Sequence, residues 1–504
     1  MTVPDDLEVV EPAREPRRWV LPAIVMVLSA GVFAVVRPHL IDDTFITLSY
    51  ARNLAFSGHW GLIELGTSNT ATSPLNVLLL AAITFVVRDA VLAAGILYVL
   101  CQAGIALALR RVGERAGLPS WFSPLAVVLL AVNPLLISSI GLEVQLGAAG
   151  LAWLLVAATE RRPVLFGVIT GLLTLVRVDL VLVATVVLLL RKRFWVDIWK
   201  SAAAALAVAV PWFAFSWIAL GSAVADTLII KTLQRSWGPW NFKNGPVLYE
   251  GAFLWATRLS FLPAVLGAAA FTGLLIMLVR RVRTPALMPF VALVPASIVH
   301  YLAYSRLHVP PYHWYYGPSI VAATIFLAAA VAAVAGDAPV FVRRAGGIPA
   351  VLVAGVLVVL SVGNYAAAGL PRQYAPITSN HASSAQYAQI GTELGRLVGT
   401  STVRSAGEIG VLAYSCGCSI VDLFADRGAI GPAIAARKSQ TGLLGRKLID
   451  LNFHFFDYGV PQVRPEYALT EIRPDAPAPP DVIAQWPITS PWSGPQTLYL
   501  TRAD

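Results

Sequence analysis

Long uninterrupted apolar runs leave this chain few folds to choose from. Val20–Val36 and Ile348–Leu370 approach or exceed the roughly 18 apolar residues that mark a membrane span. Inside a bilayer the backbone must satisfy its own hydrogen bonds, so runs of this kind become helices. Composition agrees: 57% of the 504 residues are hydrophobic and only 13% are charged, against about 25% in soluble domains. Mean hydropathy is +0.70. These values exclude a soluble enzyme, a disordered chain and a fibrous repeat. The expected fold class is an α-helical, polytopic membrane protein.

Apolar segments occur near 19–38, 73–87, 90–109, 121–138, 146–159, 163–176, 180–190, 201–221, 261–279, 286–303, 318–335 and 348–370. Basic clusters set their direction, because Lys and Arg concentrate in cytoplasmic loops. The clusters are Arg17-Arg18, Arg110-Arg111 with Arg115, Arg161-Arg162, Arg191-Lys192-Arg193 with Lys200, Arg280-Arg281 with Arg283, and Arg343-Arg344. If all twelve segments cross, the clusters fall on opposite sides. If the short, Pro74-opened segment 73–87 is a juxtamembrane helix, all six fall on the cytoplasmic side. Eleven spans are therefore expected, with the N-terminus inside and the C-terminus outside, in a bacterial plasma membrane. Residues 1–18 read as an uncleaved cytoplasmic tail, 19–370 as the membrane domain and 371–504 as an extracytoplasmic domain.

The charge of +9 belongs to the membrane half. Residues 371–504 hold 11 bases and 11 acids, which cancel. With no basic stripe interleaved with aromatics, nucleic acid is not an expected partner. Within the tail, Ser383–Leu397 is a helix candidate, Ile409–Leu412 and Ser419–Leu423 are strand candidates, and Pro474–Pro480 is a loop, together a small α/β domain. Three cysteines at 101, 416 and 418 supply no disulfide framework. Cys416 and Cys418 can form only a strained small ring, and no second cysteine or histidine pair beside them makes a zinc site.

Five segments face outward on this topology: 39–72, 139–145, 177–179, 222–260 and 304–317. The densest polar group follows the first span, with His39, Asp42, Asp43, Ser49, Tyr50, Arg52 and Asn53. Two adjacent carboxylates at a membrane surface are costly unless they bind or react with something. The competing role is a helix N-cap. Ile46, Tyr50 and Asn53 recur at helical spacing after Asp43, as in an amphipathic helix lying along the interface.

Asp42-Asp43, the helix ending in Arg52-Asn53-Leu54, the turn Ser57-Gly58-His59-Trp60-Gly61 and Thr70-Ala71-Thr72-Ser73-Pro74-Leu75 together resemble the GT-C glycosyltransferases. Within that superfamily the likeness is to actinobacterial cell-envelope arabinofuranosyltransferases and their mannosyltransferase relatives. Gly141-Leu142-Glu143 resembles a Gly-hydrophobic-Glu signature of the group. Arg177-Val178-Asp179 resembles an Arg-Pro-acidic turn with Val178 in place of proline, and Asp226–Lys231 a segment ending in Ala-Lys with Ile230 at the penultimate place. Ala406-Gly407-Glu408-Ile409-Gly410 and Ile420-Val421-Asp422 are similar to post-membrane segments of the group.

The resemblance implies inverting transfer of a sugar, arabinofuranose or mannose, from a polyprenyl-phosphate donor to a glycan or glycolipid acceptor on the outer face. No nucleotide is needed, and neither a P-loop nor a dinucleotide fingerprint occurs. The acceptor hydroxyl must lose its proton, which requires a carboxylate base; Asp43 is the first candidate and Asp42 the second. The pair is also a candidate divalent-cation site, the only cofactor considered. A lipid-phosphate leaving group calls for cations, for which Lys231 and Arg235, one helical turn apart, are the candidates. Glu143, Arg52, Trp237, His308, Tyr312, His313 and Trp314 are candidate substrate contacts. The rival reading is a transporter or flippase of a lipid-linked sugar. It fits less well, because the spans are almost purely Ala, Val and Leu, with the polar residues gathered at one face.

Overall fold

A computed structural model describes residues 19–191, 195–282, 284–336 and 347–503. The 1–18 tail with Arg17-Arg18, and Lys192-Arg193, Arg283 and Arg343-Arg344, lie outside the described residues.

The apolar segments are all helical. In chain order they are α1 (Val20–Val36), α2 (Asp42–Ser57), α3 (Pro74–Val87), α4 (Ala90–Ala116), α5 (Phe122–Ala131), α6 (Pro134–Ser138), α7 (Val144–Thr159), α8 (Pro163–Val176), α9 (Leu180–Leu189), α10 (Ile198–Ala219), α11 (Thr227–Gln234), α12 (Gly245–Val279), α13 (Leu293–Leu307), α14 (Gly317–Gly336) and α15 (Ile348–Ala367). Seven helical stretches among the described residues are long and apolar enough to cross a membrane, and five shorter ones are apolar. Local signals set the breaks. Asp89 caps α4 by accepting from the Leu92 amide, and the helix stops at Gly117, whose φ is +73°. Asn133 caps α6, with Pro134 in the first turn.

Helix α3 does not cross. Its start, at Pro74, borders the apolar groove described below, and Asp89, two residues beyond its end, approaches Arg37 at the end of α1 to 3.9 Å. Both ends of α3 therefore lie at the same end of the bundle. With α3 excluded and α5–α6 taken as one broken span, eleven apolar segments among the described residues run between the two ends. Arg111 pairs with Glu160, and Arg191 donates to the Pro289 carbonyl at 2.7 Å, both at the end away from Asp42.

The C-terminal part adds β1 (Thr402–Arg404), β2 (Ser419–Val421), β3 (Tyr467–Ile472), β4 (Ala484–Ser490) and β5 (Gly494–Arg502). The sheet order is β2-β1-β3-β5-β4, with β1 parallel to β2 and β3 and the remaining pairs antiparallel. Val403 sits opposite both Ile420 and Tyr467, and Leu469 opposite Leu500. Its helices are α16 (Ser384–Val398), α17 (Gly410–Cys416), α18 (Ile430–Ser439) and α19 (Leu443–Asn452). The helix candidate at 383–397 appears as α16, started by a Ser383/Gln386 capping box. The strand candidate at 419–423 appears as β2. The strand reading of Ile409–Leu412 is corrected: these residues open α17, because their amides turn onto a carboxylate from the membrane half. Cys416 and Cys418 form a disulfide.

The two halves pack directly on each other. One buried cluster joins Phe33, Leu48 and Tyr50 to Tyr387, Ile420 and Leu498. Burial of that size anchors the sheet on the membrane bundle.

Candidate active site

Helix α2 begins with two carboxylates in its first turn, and successive residues on a helix point about 100° apart. That geometry gives Asp42 and Asp43 different surroundings. Asp42 is 4% exposed. Its Oδ2 accepts from the Ile409 and Gly410 amides at 3.2 and 2.8 Å, and its Oδ1 from Val411 at 2.7 Å. Gly410 makes this approach feasible, since a Cβ there would lie 1.9 Å from the Asp42 carbonyl. The Asp42 amide donates in turn to Asn380 Oδ1 at 3.3 Å. Burial raises the Asp42 pKa and the three amides pull it back down. With both oxygens turned to backbone amides, this carboxylate ties α2 to α17.

Asp43 faces a cavity of about 340 Å³ lined also by Lys231, Gln234, Trp237, Tyr312 and His381. Neither Asp43 nor the Lys231 ammonium has an ion-pair partner among the described residues. Burial pushes Asp43 up to about 7, opposed by the Lys231 charge and assisted by Asp42 and Glu143. Burial likewise brings Lys231 down to about 8, against the pull of Asp43 and Asp422. A carboxyl group poised near neutrality beside a cation suits a general base.

Lys231 is held from below and behind. Its Nζ lies 3.5 Å from the Tyr312 ring centroid and 4.8 Å from that of Phe424. Its helix, α11, starts at Asp226, whose carboxylate pairs with Arg427 and accepts from Ser222 at 2.7 Å, while its amide donates to Asn69 at 2.8 Å. Lys231 also borders a second, more apolar groove of about 130 Å³, lined by Thr72, Arg177, Trp212, Leu228 and Tyr315. It is the residue at which the polar cavity and the apolar groove meet.

The remaining expected contacts divide. Trp237 and Tyr312 line the polar cavity. Arg235 does not join Lys231: α11 ends at Gln234, Arg235 takes φ +57°, and its guanidinium donates to Gln440 at 2.7 Å. Arg52 donates to the Tyr414 carbonyl at 2.8 Å and stacks on that ring, another tie to α17. Glu143 pairs with Arg177 at 2.7 Å, away from the cavity wall. His308 is exposed and bonds the Arg306 carbonyl. His313 is fully buried, and Trp314 packs against Tyr312 and Tyr315. Among the described residues no three His, Cys, Asp or Glu side chains are grouped to hold a metal.

Sequence reading missed His381, Ser379 and Trp492, which line the cavity from the C-terminal part. His381 bonds Glu471, an acceptor that raises its pKa. Gly407, Glu408 and Asp422, noticed only through family likeness, line it too. Burial lifts Glu408 to about 8, aided by Asp42, and Asp422 to about 6.

No family model matches the chain, and no curated protein matches it. Solved structures do. ArnT from Cupriavidus metallidurans bound to undecaprenyl phosphate matches with a TM-score of 0.55 and 13% identity, over 95% of this chain and 97% of that one. Apo ArnT from the same organism gives 0.50 and 14% over the same shares. The arabinofuranosyltransferase AftD from Mycobacteria gives 0.49 and 13%, over 98% of this chain and 40% of that one. The bundle with its juxtamembrane helix and the sheet domain packed on it are thus a known architecture: the chain shares the overall fold of ArnT from Cupriavidus metallidurans.

Proposed function

We propose that the protein is an inverting glycosyltransferase taking its sugar from a polyprenyl phosphate. The observation that carries this is the placement of Lys231 between two compartments, a polar cavity holding Asp43 and an apolar groove beside α10. A polyprenyl-phosphate sugar has the same division, with an apolar chain, a charged phosphate and a polar sugar. The fold neighbour bound to undecaprenyl phosphate supports the same donor class.

Asp43 accepts the proton of the acceptor hydroxyl as its oxygen attacks the anomeric carbon. The bond from that carbon to phosphate breaks, and polyprenyl phosphate leaves with the electron pair, its charge balanced by Lys231. Arrival of the donor's singly charged phosphodiester favours protonated Lys231, which then balances the second charge that develops on the leaving polyprenyl phosphate. Asp42 holds the domain that closes the cavity and is not the base. Trp237, Tyr312 and Trp492 offer ring faces to the sugars. The sugar is arabinofuranose or mannose and the acceptor a cell-envelope glycan or glycolipid, as the motif likeness implies. On this reading residues 19–370 form the catalytic membrane domain and 371–504 its cap, outside the cytoplasm, with the N-terminus inside.

The test is transfer from synthetic polyprenyl-phosphate arabinofuranose and mannose by purified protein, with the anomeric configuration of the product read by NMR. A product of opposite configuration to the donor, with release of polyprenyl phosphate, is expected. Retention of configuration eliminates the single-base mechanism. Donor binding without transfer to any acceptor favours a carrier of lipid-linked sugar.

A further inference from the structure

Helix α19 is amphipathic the wrong way round for a soluble domain. Leu444, Leu448 and Leu451 recur at i, i+4 and i+7, and Phe455 continues the row. The three leucines are 73%, 56% and 57% exposed and Phe455 48%, while the helix has no buried residue. Ile449 turns inward, against a small cluster of Ile229, Ile434 and Phe453, and Asn452 bonds the Val224 backbone.

The depth of this row is fixed by its neighbour. The Leu451 carbonyl accepts from Trp217 Nε1 at 2.8 Å, and the Phe455 ring lies 5.1 Å from the Trp217 ring. Trp217 is in the last turn of α10, a span whose outer surface is itself apolar and open, with Phe215 and Ile218 exposed. The exposed stripe of α19 therefore continues the lipid-facing surface of α10 around the end of the bundle. An apolar groove of about 440 Å³ runs beneath, between Trp217, Leu228, Leu448 and Phe453. On the polar side, the turn and helix from 437 to 447 carry Arg437, Lys438, Arg446 and Lys447, and Lys438 pairs with Asp450.

We infer that α19 is a monotopic membrane anchor of the C-terminal domain: it lies in the interface with Leu444, Leu448, Leu451 and Phe455 in the acyl region of the leaflet and its bases among the headgroups. Such helices sit about 5–10 Å into the boundary between headgroups and chains. The domain is then held to the bilayer at two points, through the bundle and directly through lipid. This placement rests on the membrane position of α10 and is independent of the catalytic reading.

The full-length protein in nanodiscs tests it. Single cysteines introduced by Leu448→Cys and, independently, Leu444→Cys carry an environment-sensitive fluorophore, with Ala385→Cys on α16 as the exposed control. Nitroxide placed on the acyl chains of the nanodisc phospholipid should quench the probes at 448 and 444 and leave 385 bright. Unquenched probes in water at both α19 positions overturn the inference. So does a water-shielded probe that lipid nitroxide does not quench, which means a protein surface covers the stripe. Quenching that appears only when nitroxide-labelled polyprenyl phosphate is added also overturns it, since the stripe is then part of the donor path.

Discussion

Two buried charge clusters lie at the same end of the bundle and are built in opposite ways. In the first, Arg177 bonds Glu143 at 2.7 Å, Asp179 at 3.0 Å and the Tyr304 hydroxyl, and Asp179 meets His300 Nε2 at 2.9 Å. His300 in turn meets Ser319 at 3.0 Å. Every charged group has a partner, and against the effect of burial the Arg177 guanidinium holds Asp179 well below the usual carboxylate range. In the second, Asp43 and Lys231 share a cavity without touching, and burial has drawn both toward neutrality. A satisfied network rigidifies, whereas an unsatisfied pair beside open volume stays available for a substrate's proton and phosphate. Buried charge alone therefore does not mark the site; incomplete pairing does.

The comparison breaks first at Asp43. Asp43→Asn keeps size and should lower transfer by about 10²–10⁴-fold with an unchanged melting temperature. Asp42→Asn should instead lower the melting temperature, because an amide nitrogen replaces one acceptor facing the α17 amides. If the two variants exchange these outcomes, the assignment of base and tie is reversed. Arg177→Leu should cost about 3–5 kcal/mol of stability, the penalty for leaving Glu143 and Asp179 buried without their cation, measured by thermal denaturation in detergent. A folded Arg177→Leu protein that has lost only donor binding would move that cluster into the active site.

Lys231→Ala should weaken donor use by about ten- to a hundredfold, from a charge-assisted bond of roughly 1.5–3 kcal/mol. Exposed Lys243 serves as the control, with Lys243→Ala near wild type. The pH profile sharpens the same point. Asp43 accepts a proton only as carboxylate, so kcat/KM should rise as pH climbs through about 7. If Lys231 meets the donor phosphate as ammonium, as proposed, activity should fall above about 8. The two limbs belong to the coupled pair. Removing the Lys231 charge removes the influence that lowers Asp43, so the acid limb of Lys231→Ala should move upward. The smallest effect is expected at Arg235→Ala, within about 0.5 kcal/mol in stability and donor binding.

Much of this was legible in sequence for simple reasons. Hydrophobic length marks a span one segment at a time, and basic clusters marked Pro74–Val87 as the segment that stays on one side. Asp42-Asp43 and Lys231 stood out because charge is rare in such a chain. The division of labour between the aspartates was not legible, since it depends on amides 367–369 positions downstream. Arg235 misled because helical spacing was assumed one residue past the point where α11 ends. His381 and Trp492 gave no local signal, being ordinary residues until β3–β5 and α16 carry them over the cavity. Glu143 stood out through its likeness to a Gly-hydrophobic-Glu signature, yet its partner Arg177 decides what it does.

The tie between Asp42 and α17 also imposes an order on biosynthesis. Asp42 and Asp43 leave the ribosome 367–369 residues ahead of the amides that receive Asp42, which follow only after the spans between them have been made. Until then Asp43 has no roof over it, and the cavity it faces lacks the walls that residues 379–492 supply. On the proposed mechanism, folding of residues 371–504 onto the bundle, rather than insertion of the spans, completes the cavity that Asp43 faces.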